Sequence, residues 1–142
     1  MKKLIFAALC LIGAMGVKAQ SCSVVNNTGC NLQFCLSGAA PGVCSASYST
    51  CGPTVSSISP FSTLTFTPAY FSISAINWVH FDFLNPNAAG CTATPPAVFV
   101  GDPCGGDPST NSVTLSCAPC AGTTINVSWS KDPFGNVTIT LN

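Results

Sequence analysis

The 142-residue chain has few charged residues: four Lys or Arg, four Asp or Glu and one His, for a formal net charge of zero. Three of the four Lys lie in the first 19 residues. Residues 20–142 therefore carry Lys131 as their only strong cation against four Asp, and sum to −3 with His80 neutral. Because nucleic-acid binding depends on Lys and Arg neutralising phosphates, and attraction to anionic lipid depends on the same charges, we expect neither as a partner.

Residues 1–19 have the pattern of a secretory signal peptide. Two lysines precede the apolar run Leu4–Val17, and Val17 and Ala19 occupy the positions that signal peptidase reads. The run counts 14 residues, whereas a membrane span needs about 20. The sequence predicts cleavage after Ala19 and one exported domain, residues 20–142, with no membrane span. Its location is then the periplasm, the cell surface or the medium.

The mature chain shows the two-residue alternation of apolar and polar side chains that is typical of β-strands. In chain order, strands are predicted at Cys22–Val25, Cys30–Ser37, Thr63–Thr67, Tyr70–Leu84, Ala97–Val100, Ser112–Cys117, Ile125–Ser130 and Val137–Leu141. Turn residues at Asn26–Gly29 join the first two strands, and Asp132–Asn136 makes the last two a hairpin. A helix opening after Pro68 is the alternative for Tyr70–Leu84, but its Ile, Val, Phe and Trp residues favour a strand.

The number of short strands and the turns between them predict an all-β domain. Its expected architecture is a single antiparallel β-sandwich, immunoglobulin-like and cross-linked by disulfides. A partly open barrel is the alternative. The Pro-, Gly- and Asp-rich stretch 85–111 is expected to be a long loop region that carries one strand at most.

Nine cysteines remain after signal removal, and in an exported chain they indicate disulfide bonds. The disulfide candidates are Cys22, Cys30, Cys35, Cys44, Cys51, Cys91, Cys104, Cys117 and Cys120. The connectivity is left open, since one sequence does not determine it. Nine is odd, so at least one cysteine has no partner within the chain. We expect it to form an intermolecular disulfide, either in a disulfide-linked dimer or with a surface partner. Lipidation of Cys22 is disfavoured, since Ala19 and Gln20 fit a lipobox poorly.

The Cys117–Cys120 pair matches the Cys-x-x-Cys spacing of thiol-redox enzymes. Such enzymes need a low-pKa thiolate, usually at a helix N-terminus, and here an alternating strand follows instead. We therefore interpret both as structural disulfide cysteines in a loop. A zinc site built from Cys104, Cys117, Cys120 and His80 matches no standard spacing, so no metal and no cofactor is predicted.

The lone histidine, His80, is the residue on which any acid–base catalysis would depend. Asp82 lies two residues further on, and no Gly-x-Ser-x-Gly motif supplies a nucleophile. The other three Asp directly precede Pro, which indicates turns. Asp102 and Asp107 are too few carboxylates for a calcium site. On a strand, Trp78 would share the outer face with His80 and Asp82, and this trio is the candidate ligand-binding patch.

Two segments carry a resemblance. The opening Ser23–Cys30 and the closing Thr124–Trp129 with Val137–Ile139 resemble small exported cysteine-rich β proteins of diderm bacteria. The Ala19-Gln20 signal end is similar to theirs as well. The resemblance implies compartment and fold, and no activity.

The leading functional hypothesis is an exported, non-enzymatic surface, adhesive or structural module that binds an envelope protein, a glycan or another neutral ligand. The alternatives are a secreted hydrolase or thiol-redox enzyme using His80 or the Cys117/Cys120 pair, and a secreted inhibitor or toxin.

Overall fold

A computed structural model describes residues 20–51, 55–84, 98–116, 118 and 120–142. Ten strands and two short 3-10 helices make up its regular structure, and its strands confirm the prediction of an all-β domain. The strands are β1 (Cys22–Asn26), β2 (Leu32–Ala39), β3 (Tyr48–Ser49), β4 (Ser56–Ile58), β5 (Ser62–Phe66), β6 (Asn77–Leu84), β7 (Val98–Gly101), β8 (Thr110–Thr114), β9 (Thr124–Lys131) and β10 (Val137–Leu141). The 3-10 helices are Pro68–Phe71 and Pro103–Gly105. In the described ranges no helix is long and apolar enough to cross a membrane.

The strands form two sheets. Sheet A has the order β5-β1-β10-β9-β8, and sheet B has the order β3-β2-β6-β7, with β4 also paired to β2. All pairs are antiparallel except β1–β10, which is parallel and corrects the prediction of a wholly antiparallel arrangement. No hairpin connects β1 to β10, so the chain imposes no antiparallel direction on them.

The predicted closing hairpin is confirmed: β9 and β10 pair from Val127↔Leu141 to Lys131↔Val137. Its turn is organised by Asp132, whose Oδ1 accepts hydrogen bonds from the backbone N–H groups of Phe134 and Asn136, each at 2.8 Å. Gly135 follows with φ +83°, a left-handed conformation that glycine adopts at little cost.

The turn predicted at residues 26–29 is held by one buried amide. Asn26 Nδ2 donates to the carbonyl oxygens of Cys30 at 2.8 Å and Ser59 at 2.9 Å. Its Oδ1 accepts from the N–H and hydroxyl of Thr28 at 3.0 and 2.7 Å. Asn26 is fully buried, and because every polar position of its side chain is satisfied, its burial carries little penalty.

Side chains from both sheets share one hydrophobic core. Phe34 of sheet B stacks on Phe81 with ring centroids 5.3 Å apart and meets Phe66 of sheet A edge-on at 5.9 Å. Each such buried ring contributes about 1.5–3 kcal/mol. The aromatic contact between the sheets fixes their separation locally.

Three disulfides cross-link the described residues: Cys30–Cys120, Cys35–Cys51 and Cys44–Cys104. They span 90, 16 and 60 residues, and each stabilises the fold by about 2–4 kcal/mol, mainly by restricting the unfolded chain. The prediction of Cys22 as a disulfide cysteine is wrong, because its thiol is free and lies in the core. Cys91 and Cys117 lie outside the described residues.

The segment predicted as one long strand, Tyr70–Leu84, divides in two. Its first residues belong to the 3-10 helix Pro68–Phe71, and β6 begins only at Asn77. The predicted loop region 85–111 contains β7 and the start of β8, while its residues 85–97 lie outside the described structure.

Candidate functional site

The predicted patch on β6 contains an ion cluster centred on His80. Its Nε2 lies 2.9 Å from Asp82 Oδ1, two residues along the same strand face. Its Nδ1 lies 2.6 Å from Asp107 Oδ2, in the segment that follows the 3-10 helix Pro103–Gly105. Both ring nitrogens are therefore engaged by carboxylates. The sequence placed Asp107 only in a turn, because a contact across 27 residues leaves no local pattern.

Gly101 makes room for the second carboxylate. It is the direct partner of His80 on the neighbouring strand β7. A Cβ at this position would lie 2.4 Å from the Val79 carbonyl oxygen and 2.5 Å from Asp107 Oδ2. Because real Cβ atoms do not approach so closely, any larger residue at position 101 would displace Asp107 from the histidine.

The two carboxylates hold His80 in its charged form. The largest effect is the hydrogen bond to Asp82, which raises the pKa of His80, while partial burial of the ring lowers it. The hydrogen bond to Asp107 and the negative charges of both carboxylates raise it further. Together they bring the pKa of His80 to about 9. At neutral pH both ring nitrogens are protonated and both donate hydrogen bonds. A free imidazole nitrogen, which a general base requires, is absent from this histidine.

Trp78 does not belong to this face, and its assignment to the ligand patch is wrong. The partner of Ser37 is His80, but the partner of Gly38 is Trp78, so the pairing passes over Val79. Such a bulge reverses the alternation of side chains along the strand. Trp78 consequently lies in the core with 0% exposure, and its Nε1 donates to the Gln20 carbonyl oxygen at 3.1 Å.

A second polar cluster surrounds Lys131, the last residue of β9. Its Nζ lies 2.5 Å from Asp102 Oδ2 and 2.7 Å from Asn77 Oδ1, so it ties sheet A to the start of β6. Burial opposes ionisation of Asp102, but Lys131 and the Cys104 N–H stabilise the carboxylate and keep its pKa below the usual value. An open groove of about 360 Å³ borders this cluster beside the Cys44–Cys104 disulfide.

The outer face of sheet A carries a uniform set of polar side chains. Along its five strands the positions between the buried residues are hydroxyl or amide side chains, with one Val. These positions are Thr63, Thr65, Ser23, Val25, Thr138, Thr140, Thr124, Asn126, Ser128, Ser130, Thr110, Ser112 and Thr114. No side chain in this set is charged. We name this surface the hydroxyl face.

The register aligns these side chains in rows across the strands. One row runs Thr65–Ser23–Thr138–Ser130, and the next runs Thr63–Val25–Thr140–Ser128–Thr110. Neighbouring hydroxyls contact one another at Ser23–Thr65 (3.2 Å) and Thr114–Thr124 (2.9 Å). The sequence signal for this face is the alternation of Thr and Ser with apolar residues along the strands. It is the ordinary pattern of a half-buried strand, except that the outward positions contain no charged residue.

A groove of about 340 Å³ lies at one side of the hydroxyl face. It is lined by Thr110, Asn111, Ser112, Asn126, Val127, Ser128 and Asn142. Hydroxyl and amide groups both donate and accept hydrogen bonds. The groove can therefore satisfy the hydroxyls of an uncharged ligand without requiring a counter-charge.

Two of the cysteines considered for redox or zinc chemistry form disulfides with other cysteines. Cys120 is bonded to Cys30, so the Cys-x-x-Cys pair is not a dithiol, and Cys117 lies outside the described residues. Cys104 of the imagined zinc set is bonded to Cys44. Within the described residues, no group of three His, Cys, Asp or Glu side chains is arranged to hold a metal ion.

Comparisons with protein-family models, with curated proteins and with solved structures find no match to this chain. Its function is therefore inferred from its own residues.

Proposed function

We propose that the protein is an exported, non-enzymatic binding module, and that the groove beside β8 and β9 at one side of the hydroxyl face binds neutral glycans. In this proposal residues 1–19 are a cleaved signal peptide and the two sheets form an immunoglobulin-like sandwich. The protein then belongs with the small exported cysteine-rich β proteins of diderm bacteria that its two ends resemble. The groove beside β8 and β9, lined by hydroxyl and amide side chains and by no charged side chain, is the observation that carries the proposal.

The chemistry of the groove supports a neutral, hydrogen-bonding ligand. Asn126 and Ser128 side chains lie on the outer face of β9, and Thr110 and Ser112 lie opposite them on β8. A sugar offers hydroxyls that donate and accept, as these side chains do. An anionic ligand would find no Lys or Arg in the groove, and a cationic ligand would find no Asp or Glu side chain there.

The state of His80 supports a non-enzymatic role. A histidine whose two nitrogens are held by Asp82 and Asp107, with a pKa raised to about 9, carries no lone pair for proton abstraction at neutral pH. Its ion cluster instead fastens the Asp107 segment to β6. The disulfides serve the same purpose elsewhere, since they keep a small module folded outside the cell.

Binding at a single groove is expected to be weak. The residues that line it include no aromatic ring on which a sugar could stack. Weak contacts to a polymer gain strength when several sites engage the same chain or surface. A repetitive glycan, presented at a cell surface or in an extracellular matrix, is therefore the ligand class that suits this face.

The test is a pull-down of the mature, oxidised protein on insoluble neutral polysaccharides, namely cellulose, chitin and a β-glucan. Isothermal titration with the matching soluble hexasaccharides follows. Asn126→Lys places a charge in the groove and should abolish retention. Thr138→Lys adds the same charge on the same face outside the groove and should retain binding. Equal binding by both variants, or a wild type that none of the three polysaccharides retains, would overturn the proposal.

A further inference from the structure

Gln20 is the first residue of the mature chain when the signal peptide is cleaved after Ala19, and the inference below rests on that part of the proposed function. Cleavage gives Gln20 a free α-amine close to its own side-chain amide. Two reacting groups held in one residue meet without the entropy loss of bringing separate molecules together. At neutral pH, part of any α-amine population is unprotonated and therefore nucleophilic.

The fold holds residue 20 by its backbone. The Gln20 carbonyl oxygen accepts a hydrogen bond from Trp78 Nε1 at 3.1 Å, and the Trp78 ring is fully buried. The next residue is fixed as well, since the Ser21 N–H donates to Asn136 Oδ1 at 3.1 Å and the Ser21 carbonyl oxygen accepts from the Val137 N–H at 2.8 Å. None of these contacts uses the α-nitrogen or the side chain of Gln20.

The side-chain amide of Gln20 is less well satisfied. Its Oε1 is buried and has no hydrogen-bond partner among the described residues, and such an oxygen costs about 1–3 kcal/mol. The amide lies over the turn at Gly135, where a Cβ would come within 2.5 Å of Nε2 and 2.9 Å of Cδ. Gly135 gives the amide room, but no hydrogen bond holds Oε1 there. The fold therefore does not fasten this amide in its open-chain form.

A free N-terminus would also add a positive charge at a groove that already contains one. Gln20 lines the groove beside Lys131 and Asp102. Both oxygens of Asp102 are engaged, Oδ2 by Lys131 Nζ and Oδ1 by the Cys104 N–H at 3.0 Å. An α-ammonium at residue 20 would bring a second cation to this carboxylate, whereas a neutral N-terminus would not.

We propose that Gln20 of the mature protein is converted to pyroglutamate. The α-nitrogen attacks Cδ of its own side chain, so the N–Cδ bond forms and the Cδ–Nε2 bond breaks. One α-amine proton passes to Nε2, which leaves as ammonia, and the reaction needs no oxidant, reductant or other co-reactant. Oε1 stays on Cδ as the lactam oxygen and is drawn back toward the main chain. The carbonyl oxygen that accepts from Trp78 is unchanged.

Cyclisation makes residue 20 a neutral cap beside the buried ring of Trp78. The α-ammonium is lost, and an aminopeptidase, which acts on a free α-amine, finds none on the cyclised chain. This protection suits a protein that is exposed to proteases after export. The modification does not depend on what the groove beside β8 and β9 binds.

The experiment is N-terminal and intact-mass analysis of the protein exported with its own signal peptide from a bacterial host and kept at neutral pH. After reduction and alkylation of every cysteine, the expected mass is that of residues 20–142 less one ammonia. Edman degradation should give no sequence until pyroglutamyl aminopeptidase has acted on the denatured chain, and should then begin at Ser21. The handling is chosen so that a synthetic peptide of residues 20–29 keeps its open-chain Gln.

Gln20→Asn is the matched control, because it keeps a side-chain amide that could close only a smaller, strained ring. This variant should retain its full mass and give a readable N-terminal sequence, and circular dichroism melting confirms that it is folded. A wild type that keeps an open Gln20 would overturn the proposal and leave cleavage after Ala19 intact. A chain that begins elsewhere would overturn both. Equal loss of ammonia from Gln20→Asn would place the reaction at another residue and would also overturn the proposal.

Discussion

The ion cluster at His80 should make stability depend on pH in a defined window. The pKa of His80 is raised from 6.5 to about 9 in the folded protein. A raised pKa stabilises the fold fully below the unfolded value and loses that effect as pH rises through the folded value. The complete shift corresponds to about 3 kcal/mol. Because 26% of the His80 side chain is exposed, solvent screening reduces this to about 1–2 kcal/mol.

The free energy of unfolding should therefore fall by about 1–2 kcal/mol between pH 6.5 and pH 9, or by about 3–10 °C in Tm. Urea titrations at several pH values measure it. The window lies below the range where the buried Cys22 thiol, whose pKa burial raises, would add its own loss. His80→Gln is the control and should flatten the profile. A wild type that is equally stable at both pH values, or an imidazole that titrates near 6.5 by NMR, would refute the role given to the two carboxylates.

Other predictions concern the core and the cysteines. Trp78→Ala should cost about 3–5 kcal/mol in a denaturant titration, since it removes a fully buried ring; a loss below 1 kcal/mol would return Trp78 to the surface. Gly101→Ala should destabilise the fold by about 1–3 kcal/mol and return the His80 pKa toward 6.5 by NMR, and an unchanged titration would contradict the close approach of Asp107. Cys22 should react with iodoacetamide only after unfolding, as followed by mass spectrometry, and rapid labelling of the native protein would show that its burial is misassigned. Non-reducing peptide maps should contain the Cys30–Cys120, Cys35–Cys51 and Cys44–Cys104 links, and a different pairing of any of these would contradict the sheet arrangement.

Local patterns in the sequence predicted much of the strand content. The alternation in Val137–Leu141 and the turn residues before it give the β9–β10 hairpin directly, because both signals lie within a few residues of each other. The same alternation placed Trp78 on the wrong face. A single bulge at Val79 changes the direction of every side chain before it, and a bulge depends on pairing with β2, far away in the sequence.

The polar sites show the same division between near and distant contacts. His80 and Asp82 were correctly placed on one face, because a strand puts residues i and i+2 on the same side. Asp107 and the Lys131–Asp102 contact depend on how separate strands meet, so composition alone did not reveal them. The pairing of the cysteines could not be predicted from a single sequence either. Among the described residues, the cysteine without a disulfide is Cys22, whose thiol is buried.

The most direct test of the account is NMR mapping of the mature protein with a soluble neutral hexasaccharide that its parent polysaccharide retains. The account predicts that backbone amide shifts change along β8 and β9 around Asn126 and Ser128, while the amides of His80, Asp82 and Asp107 stay in place. Two results would contradict the assignment of the binding face. One is a set of amide shift changes centred on His80, Asp82 and Asp107, and the other is unchanged amide shifts along β8 and β9 at saturating sugar.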